Sequence, residues 1–181
     1  MIINNTKFDT VKVFVPKVYH DDRGFFLESY NAILQDGVKA NFVQDNHSRS
    51  KKNVIRGLHY QWEPVMGKLV RVVKGSGYDV VVDIRKDSPT YSEYEKFFLS
   101  EDNFNMVWVP GGFAHGFLSL EDSTHLLYKT SGLYNKMADG AINPLCKTLN
   151  IDWGISEQDM ILSDKDREAQ SFLDYKNDPK F

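Results

Sequence analysis

The sequence has a single cysteine, Cys146, and no long apolar run. One cysteine cannot form an internal disulfide. No segment approaches the roughly 18 apolar residues of a membrane-spanning helix. Residues 1–7 also lack the apolar core and the cleavage site of a secretory signal. These absences predict a cytoplasmic protein that does not engage a membrane.

Excess charge of one sign is also missing. The formal net charge is −3 over 181 residues, which removes the broad attraction that non-specific nucleic-acid binding needs. Any anionic ligand must therefore be bound by a local site. Internal repeats, low-complexity tracts and Pro/Ser-rich linkers are absent as well, so we expect a single domain spanning residues 1–181.

What the chain does contain is a series of short β-type segments. They are β-branched or aromatic-rich and lie at 68–74, 79–85, 106–109, 113–120 and 124–130. Turn signals separate them at 75–77, 87–89, 110–112 and 121–123, roughly ten residues apart as in sandwiches and barrels. Helical character is confined to 30–35 and to the stretch after Ser163, which can cap 165–169. The prediction is a mostly β fold with short peripheral and C-terminal helices.

Polar residues interrupt these apolar segments, and together they indicate a ligand cavity. They are Arg56, His59, Gln61, Lys68, His115, Tyr128 and Lys129. Each costs about 1 to 3 kcal/mol when it is buried without a partner. Taken singly, each is more simply explained as a paired core residue or a solvated strand charge. Strand alternation predicts that Gly57, His59 and Gln61 share one face, and that Tyr128 points inward while His125 and Lys129 point outward.

A metal site is the first alternative for such a cavity. Two histidines of a His-x-His pair with a nearby carboxylate would provide it. Here the pair reads His59-Tyr-Gln61, and an amide is a poor substitute for the second imidazole, although Glu63 and His115 could contribute. No Cys cluster and no glycine-rich phosphate loop is present. We therefore expect neither a metal nor a cofactor.

The segment from Tyr19 to Tyr30 allows two interpretations. Arg23 and Glu28 flank two phenylalanines, a pattern typical of an edge strand with alternating charge. Alternatively, Arg23 binds a diphosphate with its fork of donors while an aromatic side chain such as Phe25 packs on a base or a sugar. Spacing alone leaves both interpretations open.

Eight motifs in order resemble the dTDP-4-dehydrorhamnose 3,5-epimerase family, whose members are cupin-like jelly-roll β barrels. The resemblance covers nearly the whole chain. Its motifs are Asp22-Arg-Gly-Phe-Phe-Leu-Glu28, Phe42-Val-Gln-Asp-Asn-His-Ser48, Arg56-Gly-Leu-His-Tyr-Gln61, Gly67-Lys-Leu-Val-Arg71, Val82-Asp-Ile-Arg85 with Ser88-Pro89, Pro110-Gly-Gly-Phe-Ala-His-Gly-Phe117, Leu127-Tyr-Lys129, and Leu162-Ser-Asp-Lys-Asp166.

The resemblance implies an isomerase that epimerises a nucleotide-linked 4-keto-6-deoxy sugar at C3 and C5. In it, His59 is the base, Asp166 orients the imidazole, and Tyr128 is the acid that donates from the other side of the sugar. Lys68 stabilises the enolate oxygen. The chemistry is coherent, because the C3 and C5 protons flank the C4 ketone and their removal gives an enolate.

The resemblance also implies a set of substrate-binding residues and a homodimer. Contacts to the nucleotide and diphosphate fall to Arg23, Phe25, Glu28, Gln44, Asn46 and Arg56. His115 lines the sugar site, and Tyr134 stacks on the base. Two chains of such jelly rolls commonly pair through sheet edges, which protects the edges from uncontrolled association.

The sequence departs from the family pattern at 139–147, where Pro144, Leu145 and Cys146 replace a Trp and an acidic pair. This departure leaves the substrate open between the dTDP-linked hexose of rhamnose-type synthesis and a GDP-linked 4-keto heptose of a capsule pathway. Epimerisation at C3 alone is a further possibility. A non-catalytic or metal-dependent cupin that binds a small molecule is the alternative outside the enzyme class, and the four catalytic matches argue against it.

Overall fold

The computed structural model describes residues 1–181, and thirteen strands dominate it. The strands are β1 Ile2–Asn5, β2 Lys12–Val15, β3 Val18–Asp21, β4 Gly24–Leu27, β5 Gln44–Ser50, β6 Ile55–Gln61, β7 Lys68–Lys74, β8 Ser76–Asp83, β9 Tyr94–Ser100, β10 Met106–Val109, β11 Phe113–Ser119, β12 Thr124–Thr130 and β13 Asp139–Ala141. The helices are α1 Ala32–Val38, α2 Asp164–Arg167 and α3 Phe172–Asn177, with 3-10 turns at Lys136–Ala138 and Glu157–Asp159. The predicted mostly β class is confirmed.

Two antiparallel sheets face each other. One has the strand order β1-β2-β10-β7-β12-β5, and the other has the order β13-β6-β11-β8-β9. The sequence predicts a barrel, but these sheets are separate and do not close into one ring, so the jelly roll is a two-sheet sandwich. The inward-facing side chains of both sheets form a common core between them. In this core Val70, Val81, Val107 and Phe117 are all fully buried or nearly so.

A second apolar layer covers the outer face of the five-stranded sheet. Trp153 and Phe172 pack there against side chains of β6, β8 and β11. Trp153 also donates from Nε1 to the carbonyl oxygen of Pro144 over 2.9 Å, and the backbone N–H of Phe172 donates to Sγ of Cys146 over 3.2 Å. The C-terminal third of the chain is therefore tied to the sheet that holds His59.

Helix boundaries follow their capping residues. Helix α1 begins two residues later than the sequence predicts, because Asn31 is the N-cap and accepts from the N–H of Leu34. Ser163 is the N-cap as predicted and accepts from the N–H of Asp166, although α2 spans Asp164–Arg167 instead of the predicted 165–169. A Ser171–Asp174 capping box starts α3. No helix is long and apolar enough to cross a membrane.

Both boundaries of β8 differ from expectation, and β11 ends at Ser119, one residue before its predicted end. Strand β8 begins at Ser76 inside a predicted turn, and it ends at Asp83 instead of continuing to Arg85. The cause of the early end is the Asp83 carboxylate, which accepts from the backbone N–H of Arg85 over 3.0 Å and from its side chain over 2.9 Å. These local bonds turn the chain away from the ladder.

A β-bulge in β6 changes which residues share a face. His59 pairs with His115 of β11, and Arg56 pairs with Phe117. The two-residue step from 115 to 117 on β11 therefore lies opposite a three-residue step from 56 to 59 on β6. Gly57 lies in this bulge with φ of +120°, and a Cβ there would come within 2.6 Å of the carbonyl oxygen of His115. Strict alternation would put Arg56 and His59 on opposite faces. The bulge instead lets both line one cavity.

Strands β3 and β4 form a separate hairpin. It leaves Tyr19, Phe25 and Phe26 more than half exposed. Phe25 packs edge-on against Phe104 with ring centroids 4.8 Å apart. The hairpin is the largest concentration of exposed aromatic surface near the N-terminus.

Candidate active site

A cavity of about 480 Å³ opens between the two sheets. Six of the predicted site residues line it: Arg56, His59, Lys68, His115, Tyr128 and Asp166. His59 and His115 come from the five-stranded sheet, whereas Lys68 and Tyr128 come from the six-stranded one. A molecule in this cavity therefore meets His59 from one side and Tyr128 from the other.

His59 and Asp166 form a hydrogen-bonded pair although 107 positions separate them in sequence. Nε2 of His59 lies 2.6 Å from Oδ1 of Asp166. The carboxylate is 4% exposed, and α2 with its Ser163 cap fixes its position. Because an anionic Asp166 needs a donor, Nε2 carries the proton and Nδ1 is left to accept one.

The charge state of Asp166 reflects two opposed effects. Burial acts to raise its pKa, while the hydrogen bonds from His59 and Ser163 lower it, and the net result is a pKa below the usual value. Asp166 is therefore ionised at neutral pH. An ionised partner stabilises the imidazolium that forms when His59 takes up a proton.

Lys68 is a half-buried cation at the start of β7. Its Nζ donates to the backbone carbonyl of His59 over 3.3 Å, which links the two sheets at the cavity. Burial lowers the pKa of Lys68 to about 8, against the opposing pull of Asp139 and Asp79. The ammonium therefore remains charged at neutral pH, poorly hydrated and available to an oxyanion.

Tyr128 lies on β12, between Asn46 on β5 and Val70 on β7. Burial raises the pKa of its hydroxyl, although the charge of Arg56 pulls the other way. The phenol is thus protonated throughout the working range. As predicted, His125 and Lys129 point to the other face, where they contact His47 and Asp45.

A second histidine–carboxylate pair, His115 and Asp79, lies on adjacent strands of the same cavity wall. Nε2 of His115 is 2.6 Å from Oδ2 of Asp79, and both residues are buried. Oδ1 of Asp79 has no hydrogen-bond partner. The sequence analysis did not identify Asp79, although a carboxylate inside the apolar strand Ser76–Asp83 is a signal that could have revealed it.

An adjoining cavity of about 270 Å³ extends the site toward the surface. It shares His59, Lys68 and Tyr128 with the first cavity and adds three predicted binding residues, namely Gln44, Asn46 and Tyr134. Gln44 donates to Asn46 over 2.9 Å on the edge strand β5. These residues are therefore brought together with the catalytic candidates.

Two further residues at this mouth were missed. Lys165 and Asp139 form an ion pair of 2.7 Å, and both line the adjoining cavity. The hydrogen bond to Asp139 raises the pKa of Lys165. The only signal in the sequence was their position, since Lys165 precedes Asp166 and Asp139 begins the divergent stretch 139–147.

Arg23, Phe25 and Glu28 lie apart from both cavities. Arg23 is exposed and pairs with Asp21 over 2.5 Å, while Glu28 accepts from Asn31 over 2.6 Å. The hairpin that holds Arg23 and Phe25 has a shallow cavity of its own. Within one chain, these three predicted binding residues do not join the others.

Gln61 occupies the position at which a metal-binding cupin has its second histidine. Its amide is 3% exposed and bonded to loop backbone. No group of three or more His, Cys, Asp or Glu side chains has the arrangement of a metal site.

The divergent residues 144–146 lie outside both cavities. Cys146 packs in the apolar layer on the outer face of the five-stranded sheet, and Leu145 packs against that layer. Pro144 is bonded to Trp153 in the same layer. Residues 144–146 therefore affect packing on the outer face, while Asp139, the first residue of the divergent stretch, lines the adjoining cavity.

Comparison with known proteins agrees with this geometry. The family model described as dTDP-4-dehydrorhamnose 3,5-epimerase matches residues 5–174. The dTDP-4-dehydrorhamnose 3,5-epimerase of Shigella flexneri is 48% identical over 178 residues, which are 96% of this chain and 97% of that protein.

Solved structures agree as well. A dTDP-6-deoxy-D-glucose-3,5-epimerase from Legionella pneumophila, in complex with dTDP-4-keto-L-rhamnose, has a TM-score of 0.91 and 43% identity, covering 95% of this chain and 93% of that one. An epimerase from Mycobacterium tuberculosis has a TM-score of 0.93 and 32% identity, covering 100% and 93%.

The fold and the site thus define a carbohydrate epimerase of the isomerase class. More narrowly, the chain belongs to the dTDP-4-dehydrorhamnose 3,5-epimerase family. The resemblance inferred from the eight motifs is confirmed. The GDP-linked heptose alternative is not favoured, since these relatives are named for dTDP-linked sugars.

Proposed function

We propose that this protein inverts C3 and C5 of dTDP-4-dehydro-6-deoxyglucose in a rhamnose-type deoxysugar pathway. The observation that supports this most strongly is the placement of His59 and Tyr128 on opposite sheets around one cavity. Inversion requires a proton to leave one face of a carbon and another to arrive on the opposite face. Two groups on facing sheets meet that requirement.

Proton removal is the role of His59. Nδ1 accepts the proton from the carbon next to the ketone, while Nε2 keeps its bond to Asp166. The ionised carboxylate stabilises the imidazolium and holds the ring in one orientation. After proton removal, the electron pair delocalises onto the C4 oxygen as an enolate.

Lys68 stabilises that enolate. A half-buried ammonium with one hydrogen bond to the protein interacts strongly with an oxyanion, because solvent screens its charge less than at the surface. Tyr128 then donates its phenolic proton to the opposite face of the carbon. The reaction moves protons only, so it requires no redox cofactor.

The adjoining cavity would hold the rest of the substrate. Gln44, Asn46 and Arg56 offer polar contacts to the diphosphate and nucleoside, with Tyr134 placed at the rim to stack on the base. His115 would line the sugar subsite, held by Asp79. Asp139 and Lys165 close the mouth beside Tyr134.

A homodimer would explain the position of the remaining predicted residues. Strand β5 is a free sheet edge that includes Gln44 and Asn46, and the exposed hairpin holds Arg23 and Phe25 with Glu28 after it. If each hairpin reaches the partner's rim, these residues complete the partner's nucleotide site. Each subunit would be the single domain 1–181, acting in the cytoplasm on a water-soluble nucleotide sugar.

The nucleotide assignment is tested by ligand-induced stabilisation. The melting temperature is measured with dTDP, GDP, UDP and CDP at equal concentrations, since a ligand specific to the native state raises it by mass action. We expect dTDP to give the largest increase, and dTDP-4-dehydro-6-deoxyglucose to be converted to its C3- and C5-inverted product. Stabilisation by GDP alone would overturn the dTDP assignment.

A further inference from the structure

Gln61 ends the strand that bears His59, and its side chain is almost entirely buried. Its Nε2 donates to the carbonyl oxygens of Pro64 and Leu133, each over 2.9 Å. Its Oε1 accepts from the backbone N–H of Asn135, also over 2.9 Å. Both donor hydrogens and one acceptor site of the amide are thus used on two loops.

The loop that receives two of these bonds, residues 131–138, is fixed at its two ends by other contacts. Ser131 exchanges two hydrogen bonds with Gly67, and the carbonyl oxygen of the buried Ala138 accepts from the backbone N–H of Trp62. Leu133, Tyr134 and Met137 are 61%, 58% and 86% exposed, so their apolar packing on the protein is slight. From 132 to 136 the remaining bonds out of the loop run from the Thr130 hydroxyl to the carbonyl of Gly132 over 2.9 Å, from Asn135 to the carbonyl of Glu63 over 2.8 Å and, more weakly, from Tyr134 to Asp139 over 3.4 Å. The Gln61 amide is therefore the side chain that bonds the backbone on both sides of Tyr134, at Leu133 and Asn135.

We propose that Gln61 is a positioning residue that fixes loop 131–138 and so holds Tyr134 at the rim of the substrate site. The proposal rests on the proposed function, because it takes Tyr134 to contact the nucleotide. A metal-binding cupin has a histidine at this position. Here Gln61 instead joins the strand that bears His59 to the loop that carries Tyr134.

This role separates binding from chemistry. The imidazole of His59 is held by Asp166 and not by Gln61, so loss of the Gln61 amide leaves the proposed base and its partner in place. Loss of the amide also leaves the backbone carbonyls of Pro64 and Leu133 without their donor. The loop then samples other positions, and Tyr134 is less often at the rim.

The test replaces Gln61 by Met, which keeps the length of the side chain but removes every hydrogen bond. The control is Gln170→Met, which removes another amide bonded to the same strand, at the hydroxyl of Tyr60 over 2.9 Å, outside both cavities. For Gln61→Met we expect the Kd for dTDP and the KM for the sugar nucleotide to rise about tenfold, with kcat within about threefold of wild type. For Gln170→Met we expect dTDP affinity and KM to remain unchanged.

A double-mutant cycle connects the effect to Tyr134. In a Tyr134→Ala background, Gln61→Met should raise the Kd for dTDP less than twofold further, because the side chain it positions is gone. A full additional tenfold rise would contradict the proposal, as would a fall in kcat at unchanged KM.

The loop can also be probed without ligand, so that failure of the loop anchor is distinguished from failure of the proposed function. Limited trypsin cleavage after the exposed Lys136 should be faster in Gln61→Met than in wild type and Gln170→Met. Asn135→Ala, which removes the bond from the loop to Glu63, should also speed cleavage after Lys136. This variant can be measured even if Gln61→Met does not fold. Unchanged cleavage in both variants overturns the loop anchor, whereas normal anchoring without turnover by the wild type overturns only the proposed function.

Discussion

The inside of the site and its rim differ in how they are built. The inside is joined by short hydrogen bonds between distant segments, such as 2.6 Å from His59 to Asp166 and 2.6 Å from His115 to Asp79. The rim is a loop with exposed side chains, among them Tyr134, which is 58% exposed, and the hairpin that would complete it from a partner subunit has Phe25 equally exposed.

With the proposed roles, this contrast separates the residues that carry the reaction from those that select the substrate. Proton transfer needs groups held within a fraction of an ångström, which buried paired residues provide. The proposed nucleotide contacts come instead from exposed side chains of a loop and a hairpin. Substitutions inside should therefore reduce kcat, and substitutions at the rim should raise KM.

The largest effect is expected from His59→Asn. Removing the proposed base should reduce kcat by about 10³- to 10⁴-fold, because positioned general bases contribute on this scale. The affinity for dTDP should stay within about twofold of wild type. Steady-state turnover and calorimetric titration measure the two quantities. Loss of dTDP binding would instead make His59 a structural residue and remove the distinction between inside and rim.

Tyr128→Phe should give a smaller and more selective loss. Without the acid on the second sheet, inversion should slow about 10²-fold. His59 can still remove a proton and return one from solvent to the same face, so deuterium exchange should slow less than about tenfold. NMR of the sugar in D2O follows both processes. Equal loss of exchange and inversion would show that Tyr128 is needed for enolisation itself.

The pH dependence of kcat tests Lys68. Since its pKa is lowered to about 8, the ammonium is charged below that pH and loses its proton above it. The rate should therefore fall as pH rises through about 8, approaching a tenfold loss per pH unit. This descending limb should be absent from the residual activity of Lys68→Met. A rate that stays level up to pH 10 would contradict the role of a charged Lys68.

The smallest effect is expected at the hairpin. Arg23→Ala should raise KM about tenfold, as expected for the loss of a charge-assisted phosphate contact. It should leave kcat within about threefold. Lys86→Ala, which removes an exposed charge away from both cavities, is the control and should alter neither constant. If Arg23→Ala behaves like this control, the hairpin does not reach a nucleotide site.

Sequence reasoning located strands and candidate residues better than the contacts between them. The bounds of β7, β10 and β12 match the predicted segments because each is an uninterrupted β-branched or aromatic run between turn signals. Ser163 was identified as a cap from local chemistry alone. His59, Lys68, Tyr128 and Asp166 were selected by motif, and all four line one cavity.

The features that could not be predicted from the sequence depend on contacts between residues that are far apart in the chain. The bulge at Gly57 that brings Arg56 beside His59 depends on the register with β11. The Asp79–His115 pair and the Asp139–Lys165 pair join residues 36 and 26 positions apart. Whether two sheets close into a barrel depends on the pairing of their edges. None of these follows from local periodicity.

Proton exchange in D2O tests the central claim most directly. The protein is incubated with dTDP-4-dehydro-6-deoxyglucose, and the sugar is analysed by mass and by NMR. We predict incorporation of two deuterons, one at C3 and one at C5, in step with inversion at both carbons. One deuteron at C3 alone would restrict the enzyme to a single centre, and no exchange at either carbon would contradict the account.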